Sequence, residues 1–201
     1  PSLRGASPVQ TAIASGLKTT GVSLQKMVLR LDSGPLAVCS GEVEILQDYT
    51  TPMLGTRLSE VGGDLIRQNL QNILEGNFTL TEQNESKATY CSIIKKEDGH
   101  LNWKEETAHV IERKLRAYTP WPGIFSFYKI KSKSDSRHRL QFTKAELVQG
   151  NFECGKIYPD LTIGAQTDGL KILYLKPEGK KEMDADSFLR GNTEILGTIL
   201  E

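Results

Sequence analysis

Apolar and polar positions change period several times along the chain, and the changes mark its elements. The stretch "SPVQTAIASG" reads as a short helix, with Ser7 suited to the N-cap, Pro8 to the first turn and Gly16 to the position after the last turn. The β-branched, alternating residues of "GVSLQKMVL" predict a strand. The loop "RLDSGPL" follows, and "LAVCSGEVEIL" predicts a second extended run. Thr51-Pro52 opens a longer helix in which Leu54, Leu58, Val61 and Leu65 share one face, and Gly76 ends it. Gly62 and Gly63 each cost ~1 kcal/mol against alanine inside a helix, so a bend is expected there. Residues 77–98 are polar and keep neither period, which is the composition of a connector.

Beyond residue 102 the pattern becomes periodic again. "WKEETAHVIERKLRAYTPWPG" predicts a helix with Ala108, Ile111 and Leu115 inward, stopped before Pro120. Short strand candidates then follow at 123–131, 138–148, 154–158, 161–166 and 170–175, separated by turn signals. Such even spacing suits a small β-barrel of OB-like type. Asp184 caps a last helix, "ADSFLR", which Gly191 ends. The expected organisation is an α/β region at 1–76, a linker at 77–95 and a β-barrel domain at 96–201.

Composition narrows the classes without choosing one. At 25% charged and 38% hydrophobic, the 201 residues have an ordinary globular make-up. No apolar run approaches the ~20 residues of a membrane span. Cys39, Cys91 and Cys154 form no C-x-x-C pair and read as reduced packing thiols. His100, His109 and His138 lack metal-ligand spacing, and no glycine-rich phosphate loop suggests an NTPase. The zero net charge hides an asymmetry: from Arg113 to Lys144, nine Lys and Arg face Asp135 alone.

A basic island of this kind suits a phosphate backbone, which rewards clustered cations through counterion release. Arg113, Lys114 and Arg116 fall on the predicted helix. Lys129, Lys131, Lys133, Arg137 and Arg139 follow on a strand–loop–strand, with Lys129, Lys131 and Lys133 alternating so that they share a face. Lys180 and Lys181 sit on a glycine turn, and Lys95-Lys96 end the connector. The alternative for all of them is a solvated face. Trp121, Phe125 and Phe127 are interleaved and read as core.

The order of "PSLRGASPVQTAI", "LDSG", "LNW…RKLRAYTPWPG" and "GKKEMDADSFLRG" resembles that of the methionyl-tRNA formyltransferases, over nearly the whole chain. The resemblance implies the second half of a Rossmann-like catalytic domain followed by an OB-like barrel that helps hold tRNA. It implies transfer of a formyl group from 10-formyltetrahydrofolate to the α-amine of methionine on initiator tRNA, with no metal. Catalysis in the family uses an Asn, a His two residues later and the Asp of an "LDxG" loop, and only the last is present, as Asp32. On its residues alone, Asp32 would simply bond its own loop amides. The Asn-x-His element precedes the "PxxRG" loop in the family, and the chain begins at Pro1. It is therefore expected to be a fragment, lacking most of the folate pocket and inactive alone. Arg4 matches the arginine of the family's "PxxRG" loop and is assigned to the tRNA acceptor end or to shaping the active site. Arg30 and Pro35 depart from the family's approach to "LDxG". A monomer is expected. The basic segment and these departures point to the mitochondrial matrix, with a bacterial cytoplasm as the alternative. Two other functions stand beside this one: a non-catalytic tRNA- or RNA-binding module, and a folate-dependent formyltransferase for a small substrate.

Overall fold

A computed structural model describes residues 2–129 and 137–201. Lys131 and Lys133 of the expected phosphate-binding set lie outside the described residues. The chain forms two compact units, Pro1–Ile94 and Lys95–Glu201.

In chain order the first unit contains β1 (Arg4–Gly5), α1 (Pro8–Ala14), β2 (Thr19–Thr20), β3 (Ser23–Gln25), β4 (Leu36–Cys39), β5 (Val43–Glu44), α2 (Thr51–Glu75) and β6 (Tyr90–Cys91). The strands pair two by two: β2–β5 and β3–β4 antiparallel, β1–β6 parallel. The four-three-four spacing of α2 does its expected work, burying Leu54 and Leu65 with Leu58 and Val61 half-buried, against α1 with its buried Ala12 and Ile13. Gly76 closes α2 with a left-handed φ of 69°. The helix runs unbroken through Gly62-Gly63, because weak propensity does not remove backbone hydrogen bonds that neighbouring turns hold in place. Ser7 precedes α1, but its hydroxyl makes no cap bond and donates instead to the Ser92 carbonyl.

Two expectations for this unit change. The strand predicted from "GVSLQKMVL" stops at Gln25, because the Lys26 amide turns to the Pro35 carbonyl at 2.9 Å and closes a loop over residues 26–35. The apolar residues that mimicked a strand, Met27 and Leu29, are 93% and 104% exposed in that loop, beside Leu31 at 85%. The polar stretch after α2 is also far from structureless. Thr81 and Leu36 exchange backbone hydrogen bonds, Glu85–Lys87 form a 3-10 turn, and β6 lies beside β1 with Tyr90 opposite Arg4 and Cys91 opposite Gly5. Its partners lie many tens of residues away, which local composition does not register.

The second unit contains α3 (Ala108–Ala117), β7 (Ile124–Lys129), β8 (Arg137–Val148), β9 (Thr162–Gly164), β10 (Gly169–Pro177), β11 (Met183–Asp184) and α4 (Ala185–Arg190). The strands make one curled antiparallel sheet of order β11-β10-β8-β7, with β9 also on β10. The inward residues of α3 named from the sequence are all buried, and Thr107 caps the helix by accepting from the Val110 amide at 3.2 Å. They meet Leu140, Phe142, Ile172, Leu175 and Phe188 in a single core. Trp103 is buried there with its indole N–H donating to the Ser126 hydroxyl at 2.8 Å. Asp184 caps α4 as expected, accepting from the Ser187 amide at 2.8 Å, and this holds its carboxyl below the usual range. Residues 154–158 form only isolated bridges, to Gly164, Ile163 and Ile199, because three separate partners divide so short a run.

Candidate active-site loop and basic face

Asp32 sits in the 26–35 loop, where hydrogen bonds from three directions fix it. Its backbone is left-handed, with φ at 56°, a conformation that a short polar side chain tolerates. The Gly5 amide donates to Oδ2 at 2.9 Å, and the Gln25 amide nitrogen reaches Oδ1 at 3.4 Å. The carboxylate is therefore held against the N-terminal "SLRG" loop rather than against its own turn. It stands in the wall of a cleft of about 520 Å³, whose lining includes Gly5, Thr20, Ser23, Asp32 and Gln83. That volume falls within the range of small-molecule sites.

Glycine is required on both sides of this contact, for different reasons. At Gly5, φ is 121° and an added Cβ would meet the Cys91 carbonyl at 2.2 Å. At Gly34 an added Cβ would lie 1.8 Å from the Lys26 carbonyl oxygen. Gly34 thus allows the loop to pinch closed by its lack of bulk.

Behind the loop is a polar network supplied by the stretch that composition marked as a connector. The Gln83 side-chain amide donates to the carbonyls of Asp32 at 3.0 Å and Gly34 at 2.6 Å. Its oxygen accepts from Arg4 at 2.9 Å. Arg4 also grips Glu85 through both terminal nitrogens, at 2.8 and 3.1 Å, and reaches the Tyr90 hydroxyl at 3.4 Å. Arg30, the departure noted in the sequence, bonds the same Tyr90 hydroxyl at 3.0 Å and approaches Glu85 at 3.3 Å. The Arg4 hydrogen bond, with Arg30 adding to it, holds the Glu85 carboxyl below the usual carboxylate range, and the Arg4 pKa is raised in turn. Arg4 is only 5% exposed, and its terminal nitrogens are directed inward to Glu85, Gln83 and Tyr90. Gln25, Gln83, Glu85 and Tyr90 were not singled out from the sequence. Nothing in the local pattern marks them, since their roles depend on pairing across the unit.

In the second unit the basic residues separate into two groups. Lys114 pairs with Glu106, and Arg116 pairs with Glu112 one helical turn away at 2.6 and 2.9 Å. Arg113 lies on the same helix, half-buried. At one end of the sheet Lys129 stands opposite Arg137, and both approach the Glu201 carboxylate, at 3.2 and 3.4 Å. The guanidinium groups of Arg137 and Arg139 each lie 4.0 Å from a ring centroid, over Phe127 and Phe125 respectively. Phe125 is buried, as the core reading expects, and Phe127 is half-buried, but Trp121 is 58% exposed and lies outside the core. The Glu178 amide bonds the Arg139 carbonyl at 3.0 Å, so the turn after β10 runs beside Arg139, and a hollow of about 220 Å³ includes Arg139, Lys176 and Gly179. Lys180 and Lys181 follow on this turn, both exposed. The fold therefore brings the glycine turn and the 137–139 arginines to one end of the sheet. Glu106 and Glu112, on or just before the same helix, and the distant Glu201 offset part of the basic island. Lys95 and Lys96 are exposed at the start of the unit, around a 3-10 turn.

Among the described residues no three His, Cys, Asp or Glu side chains gather as a metal site, and no helix is long and apolar enough to cross a membrane.

The mixed α/β unit and the curled antiparallel sheet have counterparts in solved structures. HypX from Aquifex aeolicus in complex with tetrahydrofolic acid superposes with a TM-score of 0.62 at 18% identity, over 92% of this chain and 32% of that one. An N-formyltransferase from Helicobacter canadensis, solved with folinic acid and dTDP-3-aminofucose, gives 0.65 at 18% identity, over 91% and 63%. Family models for formyl transferase and for the formyl transferase C-terminal domain match residues 1–70 and 93–193. The chain belongs to the formyl transferase family. The methionyl-tRNA formyltransferase of Caldanaerobacter subterraneus is 32% identical over 206 aligned residues, covering 100% of this chain and 64% of that protein. The chain spans about three fifths of the length of the curated relatives it matches.

Proposed function

We propose that this chain carries out part of the work of a methionyl-tRNA formyltransferase, with the first unit contributing to catalysis and the second to holding tRNA. The observation that carries the reading is the Asp32 carboxylate, fixed by the Gly5 amide at 2.9 Å in the wall of a cleft. The name shared by the curated relatives supports the same reading. In this proposal residues 1–76 are the second half of a Rossmann-like catalytic domain, 77–95 a linker and 96–201 an OB-like barrel.

The donor, a formylated tetrahydrofolate such as 10-formyltetrahydrofolate, would supply the formyl carbon; the folate ligands of the two superposed structures support this class. Formyl transfer forms a bond from the methionine amine nitrogen to the formyl carbon and breaks that carbon's bond to the donor nitrogen. One proton passes from the amine to the leaving nitrogen. A fixed carboxylate lowers the cost of the positive charge that accumulates while the amine is still protonated, and it orients whichever base or water carries the proton. The Asp32 carboxylate retains acceptor capacity for this: among the described residues it accepts from the Gly5 amide at 2.9 Å and, at 3.4 Å, from Gln25.

For the acceptor, Lys129, Arg137, Arg139, Lys180 and Lys181 are the proposed phosphate contacts, grouped at one end of the sheet, with Lys95 and Lys96 flanking them. Arg113, Lys114 and Arg116 fit a supporting role, with Lys114 and Arg116 paired to glutamates. Such a face suits initiator Met-tRNA better than the small-substrate alternative, which needs no basic platform. The bacterial source of the relatives supports the bacterial-cytoplasm alternative over the mitochondrial matrix.

The test is Asp32→Asn in a formylation-competent protein carrying this chain. The amide keeps an acceptor for the Gly5 N–H and loses the charge, so kcat should fall by orders of magnitude while tRNA affinity holds. A variant keeping more than about a tenth of the wild-type kcat returns Asp32 to a loop-forming role.

A further inference from the structure

We infer that Gln83 is a positioning residue for Asp32, setting both the backbone and the carboxylate of the catalytic loop; the inference rests on the catalytic reading of Asp32. Three observations carry it. The Gln83 amide nitrogen bonds the carbonyls of Asp32 and Gly34, at 3.0 and 2.6 Å, and so spans the point where the loop folds back. It also reaches the Gln25 side-chain oxygen at 3.3 Å, which leaves the Gln25 nitrogen facing Asp32 Oδ1 at 3.4 Å. Gln83 thus acts on the carboxylate by two routes, through the main chain and through Gln25.

The orientation of the Gln83 amide is not arbitrary. Its oxygen receives Arg4 Nη2 at 2.9 Å, and a guanidinium only donates. A flipped amide would place its NH₂ against the Arg4 donor and its oxygen against two carbonyls. Arg4 is itself held by Glu85, and its main chain is paired with Thr89 and Tyr90. Because Gly5 follows Arg4 directly, one short strand supplies both the donor that grips Asp32 Oδ2 and the cation that orients Gln83. Asp32 is thereby referenced twice to the same piece of backbone. A residue with only a bulk-structural role would not need two donors aimed at consecutive sides of one loop.

The test uses two substitutions in a formylation-competent protein carrying this chain. Gln83→Met keeps the length and removes every polar contact. Gln83→Glu keeps an acceptor for Arg4 but turns a carboxylate oxygen toward the Asp32 and Gly34 carbonyls. Both should lower kcat about 10–100-fold with the KM for Met-tRNA within about twofold, as expected of a ~1 Å misplacement at the reacting centre. Gln83→Glu should remain folded, because its bond to Arg4 survives while the two carbonyls lose their donor. In an Asp32→Asn background, Gln83→Met should add no further loss, since a group acting only through Asp32 has nothing left to position. The inference is overturned if either variant keeps kcat within about threefold of wild type, if the loss falls on KM, or if the two losses multiply. If Asp32→Asn alone remains active, the catalytic reading fails first and the inference with it. An inactive Asp32→Asn beside a fully active Gln83→Met rejects the inference alone.

Discussion

Gly34→Ala is a single-methyl perturbation whose consequence follows from the geometry of the loop. The new Cβ would lie 1.8 Å from the Lys26 carbonyl oxygen, and real Cβ contacts do not come under 3.0 Å, so the two must separate by roughly 1.2 Å. Gly34 is not among the positive-φ glycines, so backbone preference adds nothing and the effect is spatial. The displaced segment is the closure of the loop, beside the Lys26–Pro35 hydrogen bond at 2.9 Å and two residues from Asp32. A shift of ~1 Å in a catalytic group costs about 10²-fold in rate. If Asp32 acts as proposed, steady-state formylation of Met-tRNA by a formylation-competent protein carrying this chain should show kcat down about 100-fold with tRNA affinity unchanged. Gly41→Ala, where an added Cβ meets nothing within 4 Å, is the matched control and should behave as wild type. A Gly34→Ala enzyme with kcat within about threefold of wild type would show that the pinch does not position Asp32.

Other outcomes follow from the same geometry. Lys180→Ala/Lys181→Ala should weaken tRNA binding and flatten the log–log salt slope by roughly 0.7–0.9 per lost phosphate contact, with little change in preference between tRNAs; an unchanged slope across a salt series leaves the turn as a solvated loop. Trp103→Phe strands the buried Ser126 hydroxyl and should destabilise the second unit by about 1–3 kcal/mol in chemical denaturation, whereas Trp103→Phe/Ser126→Ala should recover part of that loss; equal stabilities for the single and double variants would remove the hydrogen bond from the account. Because the Glu85 pKa is lowered on folding, its ionised form favours the folded state. That contribution is complete above the ordinary carboxylate pKa of about 4.3 and fades as pH falls toward the depressed value. The amide-exchange protection at Leu3–Gly5, taken relative to the intrinsic rate at each pH, should fall in that acid window, and Glu85→Gln should abolish this fall; an identical protection profile in the variant rejects the assignment.

The sequence was most legible where a contact is repeated at a fixed period. The apolar face of α2, the inward residues of α3 and the Asp184 cap of α4 could each be read locally, because each element is stabilised by neighbours three or four residues away. Met27 and Leu29 misled for the converse reason: their alternation has the strand period, yet the chain leaves the sheet at Lys26 and exposes them. Asp32 was legible through a motif. The residues that hold it were not, since Gln83 contacts a carbonyl 51 positions earlier and Glu85 pairs with a residue 81 positions earlier. The charge count from 113 to 144 was correct as arithmetic, but it could not anticipate Glu106, Glu112 and Glu201 arriving from outside that window.

The 51-residue interval between Asp32 and Gln83 also has a meaning in time. A ribosome adding roughly 5–20 residues per second needs about 3–10 s to travel from one to the other. Through that interval the hairpin of β3 and β4 can form, but its loop has no partner on one side, and the "SLRG" strand waits longer still for Thr89–Cys91. The nascent chain thus carries Met27, Leu29 and Leu31 on an untethered tip while α2 is being made, a window in which a chaperone or a neighbouring chain can engage it first. Arrested nascent chains whose residues 83–91 are still inside the ribosome, or have fully emerged from it, should differ sharply in protease cleavage at this tip; equal cleavage would mean that the loop is ordered without its clamp. The site's last structural requirement is therefore also among the last parts of the first unit to be synthesised.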